Sequence, residues 1–339
     1  MLIKKDIELL LESGSKFREF DSASITILGG TGFIGQWLIQ ALHEYRLNFG
    51  IHSEITVVTR NSKAAHRLFV EEFGIPVKII EFDFTSESIE LERSDFFVNG
   101  ATPSRKKTGL EDSDAVFTSS FNASNSIIRS AIKYGNKPRV LNLSSGIVYG
   151  PQELGVRNQS ERPISLQPNS QSGYLNAKLA SDKLFSEANT AELIKSISPK
   201  LFAFAGPGIA LDEHFAVGNF LRDGLEGRPI TISGNPSTTR SYLYPTDLVV
   251  WVLTALLRPE NLDVNIGSET PVTILELATL VSNITSNKGV KVVNQDHLAS
   301  NYVPSTAMFR KHYEVSEKIT LNHGLERWIE SILINKQNG

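Results

Sequence analysis

A run of glycines between an apolar strand and an apolar helix constrains this chain more than any other feature. Residues 24–42 read SITILGGTGFIGQWLIQAL, with bulky residues before Gly29 and apolar residues at helical spacing after Gly35. A strand that turns sharply into a helix gathers backbone N–H groups and the positive end of the helix dipole at one point. The spacing Gly30-x-Gly32-x-x-Gly35 therefore predicts a turn that binds the pyrophosphate of a dinucleotide, the alternative being a plain tight turn.

Short β-branched runs alternate with helical patterns along much of the chain. Alternation of this kind implies crossover connections and a mostly parallel sheet with helices on both faces. The sequence therefore predicts an α/β fold, a doubly wound Rossmann-type parallel sheet with a smaller C-terminal substrate-binding lobe. After the first strand and helix, the predicted strands are Glu54–Thr59, Val77–Phe82, Asp95–Val98, Arg139–Leu143 and one near Lys200–Ala205; the predicted helices are Ala115–Tyr134, Tyr174–Glu187, Leu211–Leu225 and Ile274–Thr285.

The length of 339 residues exceeds that of a usual single domain. We expect an N-terminal helical extension over residues 1–22 and a Rossmann dinucleotide-binding domain over 23–205, with a returning segment at about 240–268. The substrate-binding lobe is expected to comprise residues 206–239 and 269–335.

Composition and charge exclude several classes of function. A net charge of −3 gives no electrostatic reason to expect a nucleic-acid partner. The absence of cysteine excludes disulfides, thiolate metal sites and a cysteine nucleophile, and the seven histidines show no pair at metal-ligand spacing. We therefore expect neither a metal nor a nucleic acid in the function of this protein.

No segment of the sequence has the pattern of a membrane anchor or a secretion signal. Charges at Lys4, Lys5, Asp6 and Glu8 interrupt the N-terminal apolar stretch, and the longest apolar run, Val249–Leu257, is too short to span a bilayer. We expect a cytoplasmic protein without a membrane partner.

Polar residues follow several predicted strands, where a doubly wound sheet binds its ligands. Ser145 follows the fifth strand, and Tyr174 and Lys178 share one face of a helix at i and i+4. A phenol, whose ordinary pKa is about 10, is a poor base near neutral pH, but a lysine cation and a nicotinamide cation would stabilise its phenolate. A serine hydroxyl can then hydrogen-bond the substrate oxygen while hydride moves. By itself, the Tyr–Lys pair is better explained as a solvated helix face, and its weight comes from the glycine turn and Ser145.

Several motifs in a fixed order resemble one superfamily. GGTGFIG, SSGIVYG, YLNAK, GPGI and RSYLYPTDL, between about Ser24 and about Leu280, are similar to motifs of the extended short-chain dehydrogenase/reductases, especially the nucleotide-sugar epimerase and dehydratase group. The resemblance implies that Tyr174 is the general acid/base, that Lys178 orients the nicotinamide ribose and that Ser145 holds the sugar oxygen. It also implies that Arg240 pairs with the diphosphate of the nucleotide sugar, the alternative being a surface arginine.

The resemblance implies two sets of ligand contacts and a homodimer. The cofactor-binding set is Gly29, Gly30, Thr31, Gly32, Phe33, Ile34, Gly35, Arg60, Asp83, Phe84, Asn99, Gly100, Ala101, Tyr174 and Lys178. The substrate-binding set is Ser144, Ser145, His214, Phe215, Asn219 and Arg240, although a histidine such as His214 beside an apolar helix is more often structural. Relatives commonly pair through the helices that correspond to Ala115–Tyr134 and Tyr174–Glu187.

The chain departs from its relatives at two places. Many relatives have an Asp at the end of the second strand, where this sequence has Thr59-Arg60. Without that carboxylate a 2′-phosphate is not repelled and Arg60 could pair with it, so NADP(H) is slightly favoured over NAD(H). The alternative is that Arg60 lies on the surface and NAD binds.

The second departure follows Ser145, where Gly146-Ile147 replaces the Asp-Glu pair of the 4,6-dehydratases, and Ile147 alone replaces the Glu of the sugar decarboxylases. Neither residue can transfer a proton. The sequence therefore predicts a nucleotide-sugar epimerase or 4-ketoreductase. The alternatives are a dehydratase or decarboxylase with a displaced acid/base, and a non-catalytic dinucleotide-sensing protein.

Overall fold

The computed structural model describes residues 2–102, 113–152, 159–162, 173–212, 215–286, 289–293 and 298–338. The helices in these ranges are α1 (Lys4–Leu11), α2 (Phe33–Phe49), α3 (Ser62–His66), α4 (Ser113–Tyr134), α5 (Gly173–Thr190), α6 (Ala216–Leu225), α7 (Pro245–Leu257), α8 (Ile274–Ile284), α9 (Ala307–Tyr313) and α10 (Leu321–Asn338). Short 3₁₀ helices span Gly14–Phe20 and Gly146–Tyr149, and a π-helical turn spans Arg67–Glu72.

The strands of the described residues are short. They are β1 (Ser24–Leu28), β2 (Glu54–Thr59), β3 (Lys78–Glu81), β4 (Phe96–Asn99), β5 (Arg139–Asn142), β6 (Ser144–Ser145), β7 (Lys195–Ile197), β8 (Lys200–Leu201), β9 (Ile230–Ile232), β10 (Thr239–Arg240), β11 (Asn265–Ile266), β12 (Val272–Thr273), β13 (Val290–Val292) and β14 (Asn301–Tyr302).

The main sheet has six parallel strands in the order β3-β2-β1-β4-β5-β7. The strand order reverses between β1 and β4, which makes the carboxyl ends of these two strands the place where a doubly wound sheet binds its ligands. One apolar core, which includes Trp37 of α2 and Trp251 of α7, covers one face of the sheet. A second core, which includes Ile127 of α4 and Phe185 of α5, covers the other. The predicted doubly wound Rossmann-type α/β fold is confirmed.

Two predicted elements were wrong in extent. The strand expected near Lys200–Ala205 comprises only β8, which pairs with β6 and β11 in a separate small sheet. The sixth strand of the main sheet is instead β7, whose central Ser196 is buried and donates a hydrogen bond of 3.1 Å to the carbonyl of Phe185. A three-residue strand with a serine at its centre lacks the apolar pattern by which strands are recognised. The helix expected from Leu211 begins at Ala216.

The N-terminal helix is attached to the rest of the protein by a buried ion pair. Asp6 of α1 lies 2.9 Å from the guanidinium of Arg327 on α10 and accepts a hydrogen bond of 3.1 Å from the Tyr244 hydroxyl. Burial raises the pKa of Asp6, and the paired arginine opposes that shift. The first and last described helices therefore pack as one unit with the start of α7.

The second half of the chain adds a third apolar core around α6 and α8. This half of the chain also contains a small sheet in the order β12-β10-β14. Arg240 and Tyr302 are register partners on its parallel strands β10 and β14. Within the described ranges, no helix is both long enough and apolar enough to cross a bilayer.

Candidate active site

A cavity of about 720 Å³ opens at the carboxyl edge of the main sheet. Its volume lies within the range of small-molecule and cofactor sites. We call one end the glycine half, formed by Gly29, Thr31, Gly32, Phe33, Ile34, Gly35, Arg60, Gly100 and Ala101. We call the other the aromatic half, formed by Phe202, Phe215, Arg240 and Tyr302 beside Ser145. Tyr174 and Lys178 also line the cavity.

The glycine half is tightly packed backbone. Gly29 has a φ of +76°, and a Cβ there would lie 2.5 Å from the carbonyl oxygen of Gly100 at the end of β4. A Cβ on Gly35 would lie 2.5 Å from the carbonyl oxygen of Gly30. Helix α2 starts here with Gly32 as its N-cap, which has no side chain to bond the first N–H groups. These residues fit a dinucleotide, because bare backbone and a helix N-terminus meet where a pyrophosphate would lie.

The end of β2 and Arg60, the residue expected to pair with a 2′-phosphate, lie at the rim of the glycine half. The hydroxyls of Thr31 and Thr59 are 3.2 Å apart, and Arg60 is exposed at the cavity edge. The Glu81 carboxylate at the end of β3 accepts a hydrogen bond of 2.9 Å from the backbone N–H of Ser62, and the Ser62 hydroxyl also donates to it. These bonds lower the pKa of Glu81, which remains an anion close to this rim.

Tyr174 and Lys178 lie on the first turns of α5, as the i, i+4 spacing predicts. The Lys178 ammonium donates to the carbonyl of Leu143 at 2.6 Å and to the Thr102 hydroxyl at 3.1 Å, and it lies 5.4 Å from the centre of the Tyr174 ring. The end of β5 and the segment after β4 therefore fix the position of the cation beside the phenol.

Two consecutive serines in β6 have different environments. The Ser144 hydroxyl donates to Asp182 at 2.7 Å, so its proton is directed to a buried carboxylate. Burial raises the pKa of Asp182, and nearby Lys200 opposes the shift. The Ser145 hydroxyl lies 3.3 Å from the hydroxyl of Tyr302 and accepts from the N–H of Ile147 at 3.4 Å.

Next to Ser145, the ring of Phe202 occupies the space that a side chain at position 146 would need. A Cβ on Gly146 would lie 2.6 Å from this ring, which packs at 4.5 Å between centroids on Tyr302. None of the described residues that line the cavity is an Asp or a Glu. Aromatic carbon therefore fills the position where an acidic residue at 146 would project.

Arg240 is a half-buried cation in the aromatic half. Its guanidinium donates to the carbonyls of Thr239 and Ser300 at 2.8 and 3.1 Å and to the Ser300 hydroxyl at 3.1 Å. In the part of the chain that the structure describes, no carboxylate is among the hydrogen-bond partners of Arg240, and burial lowers its pKa. A partly dehydrated cation whose hydrogen-bond acceptors are all neutral favours the binding of an anionic group.

The structure brings most of the predicted site residues to this cavity, but it places four elsewhere. Gly30 packs against Val57 beneath the turn, and the Asp83 carboxylate accepts a bond of 2.9 Å from the N–H of Thr85. Asn99 is buried and donates to Ser124, Asn142 and Ser181 below the cavity floor. The side chain of Asn219 accepts from Arg222 at 3.3 Å. His214 lies outside the described residues.

Two of the cavity residues beside Ser145, Phe202 and Tyr302, were not among those predicted from the sequence. Phe202 and Tyr302 belong to no motif and reach the cavity only through the pairing of β8 with β6 and of β14 with β10.

Comparison with known proteins identifies the family. The model of the NAD-dependent epimerase/dehydratase family matches residues 25–267. The chain belongs to this family. It is 25% identical over 266 residues to UDP-glucuronic acid decarboxylase 3 of Arabidopsis thaliana, covering 77% of this chain and 74% of that protein. It is also 25% identical over 275 residues to UDP-N-acetyl-alpha-D-glucosaminuronate decarboxylase of Bacillus cytotoxicus, covering 79% and 82%.

Solved structures share the fold over almost the whole chain. UDP-glucose 4-epimerase of Thermotoga maritima superposes with a TM-score of 0.79 at 21% identity, covering 92% of this chain and 99% of the other. UDP-glucuronic acid 4-epimerase of Bacillus cereus, solved with UDP-glucuronic acid and NAD, gives 0.74 at 20% identity, covering 93% and 100%. The resemblance stated from the motifs is confirmed at the level of the family, which contains both decarboxylases and epimerases.

Proposed function

We propose that this protein is an NAD(P)-dependent nucleotide-sugar epimerase or 4-ketoreductase that uses Ser145, Tyr174 and Lys178. The observation that carries the proposal is one cavity that combines a glycine turn, this triad and Arg240 with no carboxylate among its described lining residues. The bound nicotinamide would supply hydride transfer, and the side chains would hold the sugar and move a proton.

Each residue of the triad would have a separate task. Tyr174 would exchange a proton with the sugar oxygen while the carbon gains or loses hydride. Lys178, whose ammonium is held by Leu143 and Thr102, would stabilise the phenolate form and orient the nicotinamide ribose. Ser145 would hydrogen-bond the same sugar oxygen. Retention of all three residues in one cavity argues against a non-catalytic dinucleotide sensor.

We propose that the substrate is a nucleotide-diphosphate sugar whose diphosphate pairs with Arg240. The planar guanidinium suits a bidentate contact with phosphate oxygens, and burial against neutral acceptors favours an anionic partner. Residues 206–239 and 269–335 would form the substrate-binding lobe.

We propose a slight preference for NADP(H) over NAD(H). Arg60 lies at the cavity edge, and the described lining residues of the glycine half include no acid to repel a 2′-phosphate. The Glu81 carboxylate close to this rim would repel a 2′-phosphate. It already accepts hydrogen bonds from Ser62, and these reduce the repulsion.

We also propose a homodimer through α4 and α5. Phe117 and Phe121 of α4 are 38% and 39% exposed and stack with their centroids 6.2 Å apart. Light scattering should give twice the monomer mass, and Phe121→Ser should shift the equilibrium toward monomer because it removes apolar area from the contact.

A decarboxylase is the second candidate, because both sequence relatives named above are decarboxylases. Ile147 stands at the position of the decarboxylase Glu and cannot transfer a proton, which favours epimerisation or reduction. Incubation with a UDP-hexuronic acid separates the two, since only decarboxylation releases carbon dioxide.

The test of the proposal combines two measurements on the purified protein. Mass spectrometry identifies any dinucleotide that copurifies, and a panel of UDP-, dTDP-, GDP- and CDP-sugars is then followed by NMR. Epimers formed with a tightly retained oxidised cofactor indicate an epimerase. Consumption of NAD(P)H with a keto-sugar indicates a reductase. The proposal would be contradicted if no sugar changed, or if a UDP-hexuronic acid released carbon dioxide.

A further inference from the structure

Tyr302 comes from the far end of the chain to the serine of the proposed triad. It lies 157 positions after Ser145, yet the two hydroxyl oxygens are 3.3 Å apart. Tyr302 reaches this position because β14 pairs with β10, where its register partner is Arg240. Its side chain lines the same cavity as Tyr174.

Besides Ser145, three residues contact the Tyr302 side chain. It packs on Phe202 with the ring centroids 4.5 Å apart, and the Arg240 guanidinium carbon lies 5.9 Å from its centre. Its hydroxyl can also donate to the carbonyl of Leu201 at 3.4 Å. Burial raises the pKa of Tyr302 to about 12, so the hydroxyl keeps its proton near neutral pH.

The Ser145 hydroxyl has to donate to the sugar oxygen in both forms of the sugar. A keto-sugar can only accept a hydrogen bond at that oxygen, and a sugar alcohol directs its single hydroxyl proton to Tyr174. If the Tyr302 hydroxyl donates to the Ser145 oxygen, the Ser145 proton is left to point to the sugar. The Leu201 carbonyl is the other acceptor within reach of the Tyr302 proton.

We infer that Tyr302 is a positioning residue that orients the Ser145 hydroxyl for both the alcohol and the ketone form of the sugar. This inference rests on the proposed function, because it assigns Tyr302 a task within that reaction. A role confined to packing is the competing explanation, since the ring also contacts Phe202 and Arg240.

A double-mutant cycle separates these explanations, because residues that act through one another give non-additive effects. The variants are Tyr302→Phe, Ser145→Ala and the two combined, assayed by turnover of the sugar that the wild-type protein converts. Tyr302→Phe keeps the ring and removes only the hydroxyl. We expect it to lower kcat about tenfold, the effect of losing one neutral hydrogen bond. In the Ser145→Ala background the same change should lower kcat less than about twofold.

Tyr313→Phe is the matched control, because the Tyr313 hydroxyl is buried and donates to a backbone carbonyl, that of Arg258, at 3.1 Å. It should leave kcat unchanged, and cofactor affinity measured by fluorescence titration should stay within about twofold in every variant. An equal fall of kcat in both Ser145 backgrounds, or no fall in either, would overturn the positioning role while leaving the proposed function intact. Absence of turnover by the wild-type protein on every sugar would overturn the proposed function, and this inference with it.

Discussion

The two halves of the cavity are constructed differently. The glycine half is mostly backbone from one continuous turn, Gly29 to Gly35, closed by Gly100 on the neighbouring strand. The aromatic half consists of side chains from Phe202, Phe215, Arg240 and Tyr302, which four separate regions of the chain contribute. A dinucleotide pyrophosphate can be recognised by N–H groups that every residue carries, whereas a particular sugar needs particular side chains. Recognition by the first half therefore depends on local backbone geometry, whereas recognition by the second depends on the identity of its side chains.

The largest expected effect is the absence of a reaction that the aromatic half should not support. Elimination of water across C5 and C6 needs one group to take a proton and another to protonate the leaving hydroxyl, and each typically contributes about 10² to 10⁴ in rate. Gly146 and Ile147 supply neither, and Phe202 fills the space beside Gly146. We predict that dTDP-, GDP- and CDP-hexoses are not converted to 4-keto-6-deoxy sugars.

Mass spectrometry for loss of one water, with alkaline absorbance of the ketone, checks this prediction. A nucleotide sugar that the protein does convert serves as the positive control for active enzyme. Rapid water loss from any hexose would show that another segment supplies the missing acid and base.

The second prediction concerns Tyr174, which lines the same cavity. Tyr174→Phe should lower kcat by a factor of about 10² or more, because it removes the proposed proton-transfer group. Cofactor affinity should change by no more than a few fold, since the glycine half is untouched. Steady-state kinetics and cofactor titration measure both, with Tyr313→Phe as the control for loss of a buried hydroxyl. Retained turnover would remove Tyr174 from the triad.

The third prediction disturbs the glycine half by one methyl group. Gly35→Ala places a Cβ 2.5 Å from the carbonyl oxygen of Gly30, so the turn must shift. Overpacking of this kind should lower the free energy of unfolding by about 1 to 3 kcal/mol and weaken dinucleotide binding. Denaturant unfolding and cofactor titration provide the measurements.

Gly234→Ala is the matched control, since a Cβ there has no atom within 4 Å and should change stability by less than about 0.5 kcal/mol. Equal stability and cofactor affinity in the two variants would show that the close contact at Gly35 does not constrain the turn.

The smallest expected effect is at the rim of the glycine half. Arg60→Ala should reduce the preference for NADP(H) over NAD(H) by about 1 kcal/mol, or roughly fivefold, because a solvent-exposed charge contact is weakened by screening. Arg67→Ala removes the same charge from an exposed residue that does not line the cavity, and it should leave the ratio unchanged. Calorimetric titration of the wild-type protein and both variants with each cofactor measures this ratio. Equal affinities for the two cofactors in the wild-type protein would exclude this role of Arg60.

The sequence by itself determined the features that depend on neighbours along the chain. The glycine turn, the strand Glu54–Thr59 and the Tyr174–Lys178 pair follow from local spacing, and the structure contains each of them. Short-range geometry is sufficient there, because a strand–turn–helix unit and an i, i+4 pair fix their own side-chain directions.

Only the tertiary structure decided which distant side chains surround Ser145. The main sheet takes Lys195–Ile197 as its sixth strand, which leaves Lys200–Leu201 to pair with β6 and directs Phe202 toward Gly146. Likewise, Tyr302 meets Ser145 because two-residue strands pair across a long separation. Strands this short have no periodicity from which their partners can be read, and a one-residue change of register would turn each side chain to the opposite face. The aromatic half is therefore a property of the folded chain, whereas the glycine turn is already specified in seven consecutive residues, Gly29–Gly35.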